Sequence, residues 1–380
     1  MRIATSPWTH DGGASLAVAL EVLIHGPISR TEIARRLDLS AGSLTRLSTP
    51  LIDSGLLVEV GERTDGRAGR PSRLLDVVPA SRHFIGMKLT ADEVLGVVTD
   101  LRATVLESVA VRLESRDPAA VVETIAAVAR TLSAGVDSVT ALGVGIGGLV
   151  GANGLVRSAP FLEWADVPLG ALLEESTGLP TVVDNDLVAF TEYEHWFGAG
   201  RGVDDFAVLT LGAGIGFGLV IHDEIVVSDD SGIGLVGHWP LDPFGPVCPS
   251  GHRGCAKSVL EQGAIISNVS AALGRTVDYD EAMSLAAEGE PAARRLVDDA
   301  GRGLGALLAA IANLTTPELI VLGGEGVGLV EVARAAIDDG IAQHRDPRAT
   351  PLTLISTPGD NTEWCRGAAV LAIQRYVLDR

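Results

Sequence analysis

Ser29-Arg30-Thr31-Glu32-Ile33-Ala34-Arg35-Arg36-Leu37-Asp38-Leu39-Ser40-Ala41-Gly42-Ser43-Leu44-Thr45-Arg46-Leu47 is the stretch on which the reading of this chain turns. Ser29 and Glu32 have the spacing of a capping box, in which a hydroxyl and a carboxylate satisfy free N–H groups at a helix start. Ile33, Ala34 and Leu37 line one face of the helix so begun, Asp38-Leu39 make a turn, and Ser40 is placed to cap a second helix through Leu47. Two short helices on a tight turn describe a helix-turn-helix, whose second helix enters the major groove and reads base edges with short polar side chains and Arg. Ser40, Ser43, Thr45 and Arg46 meet that demand. The plainer alternative is a helical hairpin with a solvated polar face. Pro50 lacks the N–H of a helix interior, so a kink or an early helix end is expected near Leu47.

Outward from this pair, Leu56-Leu57-Val58-Glu59-Val60 and Arg73-Leu74-Leu75-Asp76-Val77 read as strands around a loop that holds Arg63, Gly66, Arg67, Gly69, Arg70 and Pro71. Such a hairpin is a wing, and Arg63, Arg67 and Arg70 are its candidates for phosphate or minor-groove contact. A DNA partner sits oddly with a formal charge of -20, because DNA affinity rests on cationic side chains. The distribution resolves this: residues 1–80 hold nine Arg and nine Asp or Glu, and residues 81–380 hold 20 basic and 40 acidic side chains, which carry the whole excess. The reading is a winged helix-turn-helix over 1–80 and a separate acidic body over 81–380.

At 380 residues, two or three folding units are expected. The apolar stretch from Ser15 to His25 is interrupted by Glu21 and has no basic leader, so it reads as a buried helix and not as a membrane or export segment. Three cysteines make a disulfide framework improbable and favour a reducing cytoplasm. From Phe84 the pattern is mixed α/β: strand-like runs at 84–90 and 94–100, a helix at about 117–134, a strand from Ala141 to Ile146, and a glycine-rich turn from Leu211 to Gly218.

In order along the body come Gly143-Val144-Gly145-Ile146-Gly147-Gly148-Leu149-Val150, Ala159-Pro160 with Trp164, Val183-Asp184-Asn185-Asp186, Leu211 to Gly218, Gly237-His238, Cys248 to Cys255, and Leu322-Gly323-Gly324. Behind a winged helix, these blocks resemble the ROK family of repressors, open reading frames and kinases. The resemblance implies a duplicated actin-like, sugar-kinase (ribonuclease H-like) ATPase fold with two lobes over 81–380. It implies a regulator of carbohydrate-related genes, acting as homodimer or homotetramer on a palindromic double-stranded operator, with a sugar or sugar-phosphate effector and no membrane partner. The alternatives are a sugar kinase with an appended DNA-binding domain and an effector-independent regulator controlled by a protein partner.

The resemblance gives Asp186 the place of the family's general base and Asn185 that of a sugar-hydroxyl ligand, and with Gly148, His238 and Lys257 these are the expected effector contacts. No catalytic residue is expected to function. The family's Asp-x-Gly-Gly-Thr phosphate loop aligns with Lys88-Leu89-Thr90-Ala91-Asp92, which lacks its glycines and its acid, so no ATP requirement is expected. Two family glutamates are replaced by Leu235 and Lys257. Lys88 and Lys257 are the only lysines; chance is the plain explanation of their placement, and the sharper one is that charge reversal there admits an anionic effector such as a sugar phosphate. His238, Cys248 and Cys255 match three of the family's four zinc ligands, Ser250 stands at the fourth, and His252 or water could complete the shell.

Overall fold

The computed structural model describes residues 13–63, 72–357 and 359–378. The N-terminal part comprises α1 (Gly13–His25), β1 (Ile28–Ser29), α2 (Arg30–Arg36), α3 (Ala41–Asp53), β2 (Leu57–Arg63) and β3 (Ser72–Val77). The Ser29 hydroxyl accepts the Glu32 N–H at 3.2 Å, as the capping spacing predicts. The Glu32 carboxylate instead accepts Arg35 and Arg36, whose hydrogen bonds hold it down to about 2. Asp38 takes the turn with φ of 50°. Strands β2 and β3 pair antiparallel as a wing, and β1 adds a third strand, Ile28 opposite Leu75, that was not expected.

The helix end expected near Leu47 does not occur, and α3 runs through Pro50 to Asp53. Pro50 and Arg46 are both exposed, so the carbonyl deprived of its partner can turn to water. Leu47 and Leu51 are buried on the inner face and hold the last turn in register.

The first body sheet contains β4 (Phe84–Leu89), β5 (Glu93–Thr99), β6 (Val105–Arg112), β7 (Ala141–Ile146) and β11 (Thr181–Asn185), in the order β11-β7-β4-β5-β6. Between them lie α4 (Pro118–Ser133), a small sheet of β8 (Leu149–Gly151), β9 (Leu155–Ala159) and β10 (Trp164–Val167), and α5 (Leu169–Thr177); α6 (Asp186–Trp196) follows β11. The second sheet has β12 (Phe206–Leu211), β13 (Ile215–Ile221), β14 (Glu224–Ile225), β15 (Leu319–Gly323) and β16 (Leu354–Ser356). With it go α7 (Ala256–Leu260), α8 (Gln262–Leu273), α9 (Tyr279–Glu288), α10 (Pro291–Thr315), α11 (Gly328–Val332) and α12 (Arg334–His344); α13 (Thr362–Val377) ends the chain.

Both sheets have one plan. The first three strands form an antiparallel meander, and two later strands add in parallel beside the first. This repetition is the duplicated actin-like, sugar-kinase fold. The chain divides into one compact unit ending at Phe197, which takes back α13 from Trp364, and a second from Gly198 to Glu363.

Strand alternation sets the two faces of β4. Ile85, Met87 and Leu89 enter the core shared with α4. On the other face, Phe84 enters a second core that joins Val18, Val22 and Leu23 of α1, Leu44, Leu47 and Leu51 of α3, and Leu75 and Val77 of β3 to Leu101, Trp196, Ala369 and Ile373. The N-terminal head and the first lobe thus share one apolar interior. Among the described residues, no helix is long and apolar enough to cross a membrane.

Candidate functional sites

On α3, the Ser40 hydroxyl accepts the Ser43 N–H at 3.1 Å and lies 3.0 Å from the Ser43 hydroxyl. Both hydroxyls thus meet at the helix start. Thr45 and Arg46 are exposed on the following turn, and Thr49 is exposed one turn later. Arg63 ends β2, whereas Arg67 and Arg70 lie outside the described residues.

In the first lobe, β11 delivers Asn185 to the cap of α6. Its amide oxygen accepts the N–H groups of Leu187 and Val188 at 3.0 and 3.3 Å, and its amide nitrogen donates to the carbonyls of Gly148 and Ile146 at 2.9 and 3.5 Å. Four bonds fill a carboxamide's capacity. Asn185 thereby holds the Gly148 loop against the start of α6. Gly148 has φ of 146°, and a β-carbon there would stand 2.2 Å from the Ser158 carbonyl oxygen, so only glycine fits.

Asp186 opens α6, and Gly145 leaves room for it: a β-carbon at Gly145 would meet the Asp186 Cα at 3.2 Å. Lys88 is the register partner of Gly145 on β4. Its Nζ lies 3.8 Å from Asp186 Oδ2, with side-chain exposures of 9% and 18%. The same Nζ sits 3.5 Å from the centroid of Trp364, which stacks on Phe190 at 4.7 Å. In the second unit, Lys257 Nζ pairs with Glu261 at 3.3 Å. Each lysine faces a carboxylate, so the uncompensated positive charge expected to draw an anionic effector is absent from both.

The first phosphate loop is closed on itself. The Thr90 hydroxyl accepts the N–H groups of Asp92 and Glu93 at 3.3 and 3.1 Å, and the Thr90 N–H donates to the Glu93 carbonyl at 3.0 Å. The Asp92 carboxylate is held by Arg116 at 3.1 Å. The amides that would have to cradle a phosphate are bonded within the turn.

The loop between β14 and α7 gathers metal-binding side chains. Donor atoms of His238, Cys248 and His252 lie within 4.8 Å of one another. His238 Nδ1 is 3.0 Å from His252 Nδ1, 3.8 Å from Cys248 Sγ and 4.0 Å from Cys255 Sγ, and Cys248 Sγ is 3.7 Å from His252 Nδ1. Edges of a tetrahedral zinc shell with bonds of about 2.0 and 2.3 Å fall near 3.3–3.8 Å; the two edges at Cys248 match, the His238–His252 edge is shorter, and Cys255 stands outside the group of three. Burial lowers His238, helped by the neighbouring His252 and Lys257, which leaves a neutral imidazole. For Cys248, burial acts upward but is outweighed by hydrogen bonds from the backbone of His252 and Ser250 and from the His252 ring, bringing the thiol to about 7. Ser250 is exposed, and a tight turn brings His252, two residues further on, to this group.

Two relatives and two solved structures frame these sites. The DNA-binding transcriptional repressor Mlc of Escherichia coli is 24% identical over 367 residues, covering 92% of this chain and 90% of Mlc. The dual regulator NagC of the same organism is 28% identical over 335 residues, 83% of this chain and 81% of NagC. A crystal structure of a ROK family transcriptional regulator homologous to Mlc superposes with a TM-score of 0.81 at 26% identity, over 96% of this chain and 97% of that one. A ROK family glucokinase from Streptomyces griseus, solved with glucose and AMPPNP, superposes with a TM-score of 0.67 at 26% identity over 77% of this chain and 99% of its own. With the ROK family matching residues 84–375, the chain belongs to that family.

Proposed function

We propose that the protein is a cytoplasmic repressor of carbohydrate-related genes, with a DNA-reading head over 1–80 and a sugar-sensing body over 81–380. One observation carries this reading: the glucokinase spans 77% of the chain, whereas the regulator structure spans 96%. The head separates the two classes. Thr45 and Arg46 read base edges, and Arg63, Arg67 and Arg70 meet phosphates. A palindromic operator is bound by a homodimer or homotetramer, since paired half-sites need paired heads. Selection of bound genomic fragments with purified protein will identify the operator. On that operator, Arg46→Ala is expected to weaken binding about tenfold or more and to relax preference at one base pair. Unchanged affinity and preference in Arg46→Ala would remove α3 from the groove.

The body is a sensor that does not transfer phosphate. A base for phosphoryl transfer must accept the attacking hydroxyl's proton, and Lys88 Nζ stands 3.8 Å from the Asp186 carboxylate that would have to do so. The intact Asn185-Asp186 pair is the one observation favouring a sugar kinase with an appended head. The paired lysines favour an uncharged sugar as effector, with Asp186 and Gly148 at its site.

His238, Cys248, His252 and Cys255 hold a structural zinc, which when bound cross-links the loop ahead of α7. Elemental analysis is expected to find about one zinc per chain, and chelation to lower the melting temperature by several degrees. Metal-free protein as prepared, with a melting curve indifferent to chelator, would refute the site.

A further inference from the structure

The second glycine-rich loop, Leu211-Gly212-Ala213-Gly214 after β12, has the composition that lets backbone N–H groups approach a phosphate. Glu325 stands in that space. Its Oε1 accepts the Ala213 N–H at 3.0 Å. A β-carbon at Gly212 would stand 2.5 Å from both the Glu325 carboxyl carbon and Oε1, and 2.6 Å from Oε2. The carboxylate therefore lies against the Gly212 backbone, in the volume that the missing side chain leaves open.

The backbone of Glu325 is fixed from several sides. Thr210 and Gly323 are register partners on the parallel strands β12 and β15, so the loops after both strands emerge together. The Gly326 N–H donates to the Leu211 carbonyl at 2.8 Å, and the Gln262 side chain donates to the Glu325 carbonyl at 3.0 Å. The Tyr279 hydroxyl donates to the Gly326 carbonyl at 2.7 Å and accepts the Leu329 N–H at 3.1 Å. Gly324 makes the turn with φ of 88°, and a β-carbon there would stand 2.4 Å from the Leu211 carbonyl oxygen.

We propose that Glu325 is the resident anion of the Gly212–Gly214 loop and keeps external phosphate out of it. A carboxylate offers the loop what a phosphoryl oxygen would, a negative charge and acceptor lone pairs. An incoming phosphate must displace it or bind beside a like charge. The first lobe has an equivalent arrangement by different means: Thr90 consumes the amides of its own turn, and Lys88 supplies the cation beside Asp186. The inference rests on the reading of the body as a sensor without phosphoryl transfer.

Calorimetric titration of the full chain with pyrophosphate tests it, comparing wild type with Glu325→Gln and Glu325→Ala, with operator binding and melting temperature measured on the same samples. Glutamine keeps an acceptor for the Ala213 N–H and removes only the charge. Both variants are expected to bind pyrophosphate about tenfold or more tightly than wild type while holding the operator as wild type does. Equal pyrophosphate affinity in wild type and Glu325→Gln, with unchanged melting, overturns the proposal. So does wild-type affinity that falls in the variants. A wild-type chain that selects no DNA would defeat the regulator reading separately, because that outcome does not depend on Glu325.

Discussion

Gly143→Val is expected to destabilise the first unit by about 3 kcal/mol or more, lowering its melting temperature by roughly 10 °C. Gly143 on β7 and Gly86 on β4 are register partners, and α13 crosses them with nothing between. A β-carbon at Gly143 would stand 1.8 Å from the Ala368 carbonyl oxygen, and one at Gly86 would stand 1.9 Å from that of Cys365. These neighbours are backbone atoms, so no rotamer change relieves the clash. The helix must lift, and lifting it opens the core that Phe84, Ala141, Ala369 and Ile373 close. Gly263→Ala is the control, because a β-carbon there meets nothing within 4 Å and the position is helical, which makes the change neutral or mildly stabilising. A Gly143→Val chain melting within about 2 °C of wild type would contradict this packing.

Arg102→Ala is expected to cost about 2–3 kcal/mol and to weaken operator binding without touching a DNA-facing residue. Arg102 follows β5 in the first lobe. Its Nη2 donates to Asp76 Oδ1 on β3 at 2.5 Å and to the Val22 carbonyl on α1 at 3.1 Å. The side chains are 21% and 16% exposed, which places the pair between the buried and the surface regimes and sets the magnitude below that of a fully buried pair. The loss arises because Asp76 is left partly buried without its cation. Arg102→Leu with Asp76→Leu should therefore recover much of the loss. A cost below about 0.5 kcal/mol for the single change would show that the pair does not fasten the head.

The caps, the wing strands and the first two strands of the body were legible because their signals are local. Ser29 reaches Glu32 three residues on, Ser40 reaches Ser43, and strand alternation repeats every second residue. Pro50 misled because burial of Leu47 and Leu51 outweighs one missing hydrogen bond. Asn185 was recognisable by type, but its amide proved to be occupied by Gly148, 37 positions earlier. The partners that matter most are remote: Glu325 lies 112 positions from Ala213, and Arg102 lies 80 from Val22. His252, one of the two candidates for the place of the lost cysteine, is the one that the turn brings beside His238 and Cys248.

Helix α13 has sixteen residues, about 24 Å of rigid rod. Its first turn carries Trp364 over Lys88, beside Asp186. Its last turns carry Ile373 and Val377 into the interior that also holds α1 and α3. One helix therefore bears both the packing around Lys88 and part of the packing beneath the head, so a substitution in α13 that loosens either end removes support from both.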